Sequence, residues 1–569
     1  MYIEKFTKGR KKPIILLRES TREGKTVVKK TLANLSSLDS VGVDLIDRHL
    51  KGEVFYSINE AFTKTAGKSH GHVQAVLTAM RKLKIPELIS PTRSRERDLV
   101  VGMIAGRILS AQSKLGTVTS WENTSLPGIL GIEDATEDDL YHAMDWLLER
   151  QERIQDKLVK RHLKEGDSIL FDTSSSYVEG EKCPLAKFGH NRDRKKGKKQ
   201  INYGLVADTE GRPLIIDVYP GNTADSATLL PMVDRLQNVH GLSKLVLVAD
   251  RGLLTTKNIK VLSSTEGVDW ISALRSDSIK TLIEQTHIQP GLFDEVNLFE
   301  FSCAEEYPGE RLIACRNPAL QFRRITERES LLVKTEQELQ SIVDRVNAGR
   351  LKVSGKIGLA VGRKINRYKM SKHFILEIDT GHFAFRRDEQ SIRKEGALDG
   401  VYVIRTSLPG EECDAPSCVR SYKNLSEIEK AFEVMKGMTL KVRPIYHYVE
   451  NRVRAHFFLC LLSYYVEWHM RQVWGELTFY DTDKGFRTDP VPPAERSDSA
   501  KKKDSKKRNE DGLRVRKFSE VLSTLAILQK ATYRVGSGET TREFEIPEEM
   551  TPLQKRALEL IETIAVPNK

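Results

Sequence analysis

Three acidic residues far apart in the chain stand where a carboxylate has chemistry to do. Asp172 follows Ser168-Ile169-Leu170-Phe171 and opens Asp172-Thr173-Ser174, and Asp250 follows the run Leu245 to Ala249 and opens Asp250-Arg251-Gly252. Continuous apolar runs of this kind make strands buried on both faces. A carboxylate at the end of such a strand is costly unless a cation meets it. Two acids on two strand tips therefore predict a divalent-metal site. A third acid, Glu429, lies midway between Tyr422 and Lys436. Seven residues at about 100° each are nearly two helical turns, so one helix would carry all three on one stripe. A stacking group, a metal ligand and a phosphate contact would then stand in line. An ordinary solvated face has the same pattern, since Glu427, Lys430 and Glu433 are charged too.

The elements that must position these acids follow from the pattern around them. From Asp167 the chain reads as strand and turn: a strand to Asp172, a second over 201–207, a turn at 208–212 and a third strand over 213–219. Gly221-Asn222-Thr223-Ala224-Asp225 breaks the third strand, with Asp225 expected as the N-cap of the next helix. A fourth strand ends at Asp250, a helix runs from about Thr255 to Ser264, and a fifth strand covers 268–273. This order predicts an α/β fold with a mixed sheet.

Together these residues resemble a known family. Asp172 in F-D-T-S-S, Asp250 in V-A-D-R-G and Glu429 in Y-x2-L-x3-E-x6-K resemble the three acids of DDE transposases from bacterial insertion sequences. The resemblance is to the insertion-sequence-4-like superfamily, nearest its insertion sequence 1634 branch, which carries a Tyr-Arg-Glu-Lys signature around the last acid. Gly221 to Asp225 resembles that family's G-N-x-x-D turn. The likeness covers roughly Asp167 to Tyr465 and departs at Leu425, where the signature has arginine, so the DNA contact made there in relatives does not carry over. It implies a ribonuclease H-like mixed-sheet catalytic core. Asp172, Asp250 and Glu429 would be the catalytic residues and the ligands of two Mg2+ ions, about 3.5–4 Å apart, with Mn2+ able to substitute. Clustered carboxylates repel, so raised pKa values are expected while no metal is bound. The implied reaction is cleavage at the ends of a mobile element and strand transfer into target DNA, a cut-and-paste transposition. A catalytically inactive DNA-binding descendant and a metal-dependent nuclease that cuts without joining are the alternatives. A hairpin step known in some relatives is not established by these residues.

The DNA-binding expectation rests on cations. Lys187, Arg192, Arg194, Lys195, Lys196, Lys198 and Lys199 precede the second strand, and Arg251 adjoins Asp250. With Tyr422 and Lys436 they are the candidate contacts to DNA. His190, in the same loop, reads as a DNA-facing residue or as a surface histidine. A net charge of +12 favours polyanionic partners. The expected partners are the element's terminal inverted repeats and target DNA, held by a homodimer in the synaptic complex.

The 569 residues are too many for one core. The expected layout is an N-terminal β-hairpin over 1–38, a helical DNA-end-binding region over 39–165, and the first part of the core over 166–275. A strand-rich insertion domain over 276–419 precedes the second part of the core, with the glutamate helix, over 420–480. A basic disordered linker over 487–512 and a helical C-terminal unit over 513–569 close the chain. Arg93, Arg95 and Arg97 lie in the helical region, which suits a DNA-end reader or a plain scaffold. No stretch approaches the apolar run of about 18 residues that a membrane span needs, and the polar N-terminus suggests no secretory signal. The six cysteines read as free thiols. A zinc site joining Cys303, Cys315, Cys413 and Cys418 has unsuitable spacing. The expected location is the bacterial cytoplasm, at the nucleoid.

Overall fold

The computed structural model describes residues 1–7, 12–55, 62–64, 67–193, 195–285, 287–288, 293, 297–303, 305–483, 489–535, 542–545 and 549–565. The chain forms two compact units, Met1–Lys68 with Gln529–Glu549, and Ser69–Leu528 with Met550–Lys569. In the smaller unit, Tyr2–Phe6, Ile14–Glu23 and Thr26–Asn34 make a three-stranded antiparallel sheet. The expected hairpin is thus two of three strands, and Gly24 takes the left-handed φ of +63° at its turn. A helix over Ser40–Leu50 follows, capped by Asp39, which accepts the Gly42 N–H at 2.7 Å. Phe62–Lys64, Thr532–Val535 and Arg542–Glu545 form a second small sheet. The C-terminal region is therefore not wholly helical. Its apolar helix faces belong to the larger unit, whereas residues 532–535 and 542–545 pair as strands in the smaller.

The larger unit is built on an eight-stranded sheet. Its strands are β1 Ser168–Tyr177, β2 Gln200–Ala207, β3 Pro213–Pro220, β4 Leu245–Ala249, β5 Val268–Ala273, β6 Leu298–Phe301, β7 Arg311–Arg316 and β8 Val401–Thr406. They lie in the order β6-β7-β8-β5-β4-β1-β2-β3. β4 runs parallel to β1 and to β5, while β2 runs antiparallel to both neighbours. The β3-β2-β1-β4-β5 half is the ribonuclease H-like core. Every residue of β2 and β4 is buried; β4 is apolar throughout, and the polar Gln200 and Asn202 of β2 are satisfied by hydrogen bonds.

The other three strands come from the region expected as a separate insertion. β8 continues the core sheet as an antiparallel neighbour of β5, and β7 and β6 extend it further. The stretch between β7 and β8 builds a core of its own. There a 30-residue helix, Pro318–Asn347, packs through Leu332, Leu339 and Ile342 against a helix over Ser354–Ile365 and a hairpin of Phe374–Asp379 with His382–Arg387.

Helices cover the core half. We label Ser226–Asn238 α1, Ala415–Lys423 α2, Leu425–Lys436 α3 and Glu450–Val473 α4. α4 is buried over most of its length, and Phe457 stacks 4.6 Å from the Tyr203 ring of β2. N-terminal helices over Arg95–Ser110 and Glu137–Leu148 complete the layer. The arginines expected to read DNA there are tied to acids. Arg93 meets Asp98 at 2.7 Å, Arg95 meets Asp134 at 2.9 Å, and Arg97 meets Asp98 at 3.6 Å.

The expected disordered linker is ordered where it is described. Asp498–Lys506 is a helix capped by Ser497, and the Lys503 ammonium donates to Gly475 O at 2.7 Å and Tyr480 O at 2.9 Å. Lys423 donates to Val491 O at 2.7 Å and Pro492 O at 2.9 Å. Lysines that composition assigns to solvent instead satisfy backbone carbonyls, an arrangement no local pattern announces. Among the described residues no helix is long and apolar enough to cross a membrane. All six cysteines are free, with Cys413 and Cys418 3.1 Å apart at sulfur.

Candidate active site at the ends of the central strands

The register of β1 and β4 brings two of the acids together. Phe171 lies opposite Ala249 on parallel strands, and the next residue on each is the aspartate. Asp172 and Asp250 therefore sit at one level on strands spaced about 4.8 Å apart. Asp172 also pairs with Leu205 of β2 and accepts the Thr173 N–H at 2.7 Å. Burial pushes its carboxyl up to about 7. The charges of Asp250 and Glu429 push the same way, against the Thr173 N–H and the Arg192 guanidinium.

Glu429 arrives on α3, whose buried face of Ile428, Ala431, Phe432 and Met435 packs against β1. Glu429 itself is exposed, at the edge of that buried face, one turn before Phe432. The turn between β2 and β3 seats that helix: a Cβ on Gly211, at φ +83°, would meet the Glu427 Cβ at 2.7 Å. The influence of Glu429 reaches both Asp172 and Tyr422. Among the described residues, however, no three His, Cys, Asp or Glu side chains stand at metal-ligand separation. The three acids share one electrostatic neighbourhood without forming a closed ligand cage.

The single stripe expected for Tyr422, Glu429 and Lys436 does not form. Asn424 separates α2 from α3, so Tyr422 lies on one helix and the other two residues on the next. Tyr422 nevertheless reaches the site, donating its hydroxyl to Asp250 Oδ1 at 3.5 Å. Burial, then Asp250, hold that phenol well above its ordinary pKa, so it remains a donor; Arg251 opposes them. Leu425, at the signature's arginine position, packs against the core.

The cations divide into tied and solvent-facing groups. Arg192 donates to Asp225 Oδ2 at 2.6 Å and to Thr173 Oγ1 at 3.3 Å, and Thr173 Oγ1 donates to Asp225 Oδ1 at 2.9 Å. Asp225 stands at the N-cap position of α1 but makes no capping bond. Its carboxylate is engaged by this triad beside Asp172. Lys436 pairs with Asp193 at 3.3 Å, lies 5.9 Å from the Tyr203 ring, and has its pKa lowered by burial. Arg443 pairs with the same carboxylate, whose Oδ2 accepts the Tyr177 N–H at 3.1 Å. Lys198 pairs with Glu179 at 2.6 Å. Lys187, His190, Lys195, Lys196 and Arg251 are exposed and Lys199 is half-buried. Arg194 lies outside the described residues.

Asp193 and Arg443 are the residues that sequence reasoning passed over. The one available signal was a lone acid inside a run of seven cations. The G-N-x-x-D turn braces the same loop. A Cβ on Gly221 would meet Gln200 O at 1.9 Å, and Asn202 donates to Thr223 O at 2.9 Å.

Residues 164–466, more than half of the chain, match the family described as "Transposase DDE domain". The chain belongs to that family. No curated protein matches it. Among solved structures, one similar chain is in the cryo-EM structure of the piggyBac transposase synaptic complex with hairpin DNA. It is 9% identical at a TM-score of 0.35, covering 69% of this chain and 75% of that one. Asp172, Asp250 and Glu429 all fall inside the stretch that carries the Transposase DDE domain.

Proposed function

We propose that this member of the Transposase DDE domain family is a DNA transposase of the insertion-sequence-4-like superfamily, nearest the insertion sequence 1634 branch. It cleaves phosphodiester bonds at the ends of a mobile element and joins them to target DNA. The observation that carries the reading is the parallel register that sets Asp172 beside Asp250. The repulsion Asp172 meets from Asp250 and Glu429, which a shared cation would relieve, supports it further.

In this reading Asp172, Asp250 and Glu429 hold divalent ions. Three carboxylates without a soft ligand are hard oxygen donors suited to Mg2+ or Mn2+. When bound, such ions supply Lewis acidity to the attacking and leaving oxygens of an in-line displacement. The chain's own residues do the rest. Tyr422 holds the Asp250 carboxylate through its hydroxyl, and Arg192, steadied by Asp225, favours the ionised form of Asp172 against its burial. Lys187, Lys195, Lys196 and Arg251 meet the DNA backbone from the exposed loops, with His190 and Lys199 beside them. Two copies bring two ends together.

The test uses supercoiled plasmid carrying candidate terminal repeats, incubated with Mg2+ or Mn2+. Joined products support the proposal, cutting without joining would make the protein a nuclease, and binding alone would make it an inactive descendant. Asp250→Asn keeps the shape but not the charge, so DNA binding should survive and cutting should fall at least about a hundredfold. Unchanged cutting would remove Asp250 from the mechanism.

A further inference from the structure

A cavity of about 470 Å³ is lined by Arg107, Lys114, Lys441, Arg443 and Arg452, with no acidic residue in its wall. Lys114 is 4% exposed, and among the described residues no hydrogen bond or ion pair meets its ammonium. Burial pushes it down to about 7, and Arg107 adds to that. Arg107 donates to Leu440 O at 2.6 Å but leaves its Nε buried without a partner. Arg452 lies over the Tyr141 ring at 4.5 Å, with Asp145 3.6 Å away at the rim. The histidines in the wall add no opposing charge. His447 and His456 are held neutral by burial, and His456 pairs with Val442 O at 3.1 Å.

Lys114 and Arg107 are buried without a counter-charge, which is expensive, and a concave wall of cations concentrates anions. Two features indicate which anion. Arg443 connects the cavity to the carboxylate site, because its partner Asp193 follows Arg192, the residue that faces Asp172. At the lip, Tyr446 and Tyr448 are 69% and 61% exposed, as aromatic platforms for nucleobases are. A strand with phosphates and bases fits both.

We propose that this cavity is a second anion site that takes a backbone phosphate of the bound DNA away from the scissile bond, with the adjoining bases against Tyr446 and Tyr448. The proposal rests on the reading of the chain as a DNA-handling transposase, but not on catalysis.

The test measures binding of the full chain to terminal-repeat duplex in EDTA, where no cutting occurs, over about 50 to 200 mM salt. Lys114→Met and, separately, Arg452→Gln should each weaken binding several-fold on any sequence and lower the salt slope by about one. DNA-free Lys114→Met should melt no lower than the parent, since it loses an unpaired buried cation. Unchanged slopes in both variants, or a fall in melting temperature that accounts for the lost affinity, would overturn the proposal. Stabilisation of the parent by inorganic phosphate, lost in Lys114→Met, without any effect of either variant on DNA, would assign the cavity to a free anion and overturn the DNA occupant. A protein that binds through Lys114 yet never cuts would leave this site standing and remove the catalytic reading instead.

Discussion

The Tyr422 hydroxyl stands 3.5 Å from Asp250 Oδ1, joining the end of β4 to a residue 172 positions further along the chain. At that length the hydrogen bond is weak, so its role is orientation. Tyr422→Phe should cost no more than about 1 kcal/mol of stability while slowing end cleavage several-fold. Denaturant midpoints beside single-turnover cleavage would check this, and a loss of folding stability as large as the loss of rate would refute it.

Asp172 carries a conflict that metal binding would resolve. Burial holds its carboxyl up to about 7 against the usual 3.8 of an aspartate, so between those values the native state binds the extra proton and stability falls as pH rises. In metal-free buffer at or above neutral pH, Asp172→Asn should therefore be the more stable protein, by about 1 kcal/mol. End cleavage should be lost. A variant less stable than the parent in EDTA would show that the carboxylate is structural.

The basic loop should not act as a uniform patch. Lys195 and Lys196 face solvent, whereas Lys198 is held by Glu179 and Lys436 by Asp193. Replacing Lys195 or Lys196 with Gln should lower the salt slope of DNA binding by up to about one each. Lys198→Gln should lower it less. Equal slopes for all three would show that the Glu179 pair opens when DNA arrives.

His162 accepts from Arg212 at 2.6 Å through Nδ1, so Nε2 carries the proton toward the Tyr465 hydroxyl at 2.8 Å. Burial and the neighbouring arginine hold its pKa near 3. The unfolded chain therefore takes up a proton near pH 6.5 that the native chain refuses until about pH 3. Stability should fall as pH drops through that window, and His447 and His469 act in the same sense. Denaturant unfolding from pH 7 to pH 4 should show a shallower decline in His162→Gln.

The strands were legible because burial on both faces leaves no choice of residue. Leu245–Ala249 could only be interior, and its acid could only be at the exit. The helical stripe was not, because seven-residue spacing assumes one continuous helix and cannot register the break at Asn424. The partners of Asp193 and Asp225 were not foreseen, for one reason. Each has a local role by pattern, in a charged loop or at a helix start, yet its partners arrive from distant parts of the chain. Lys503 and Lys423 are the same case, since composition cannot foresee that their ammonium groups end on carbonyls. β6, β7 and β8 read as strands, but nothing local says that they continue the central sheet.

Arg316, the last residue of β7, is paired directly with Val401, the first of β8. The chain leaves the sheet and re-enters it at adjacent points, after more than eighty residues with a core of their own. The limb between these points is thus a detachable graft: a short turn would close β7 onto β8 and keep their ladder. Exchanging this limb would change the surface it carries without disturbing where Asp172, Asp250 and Glu429 stand.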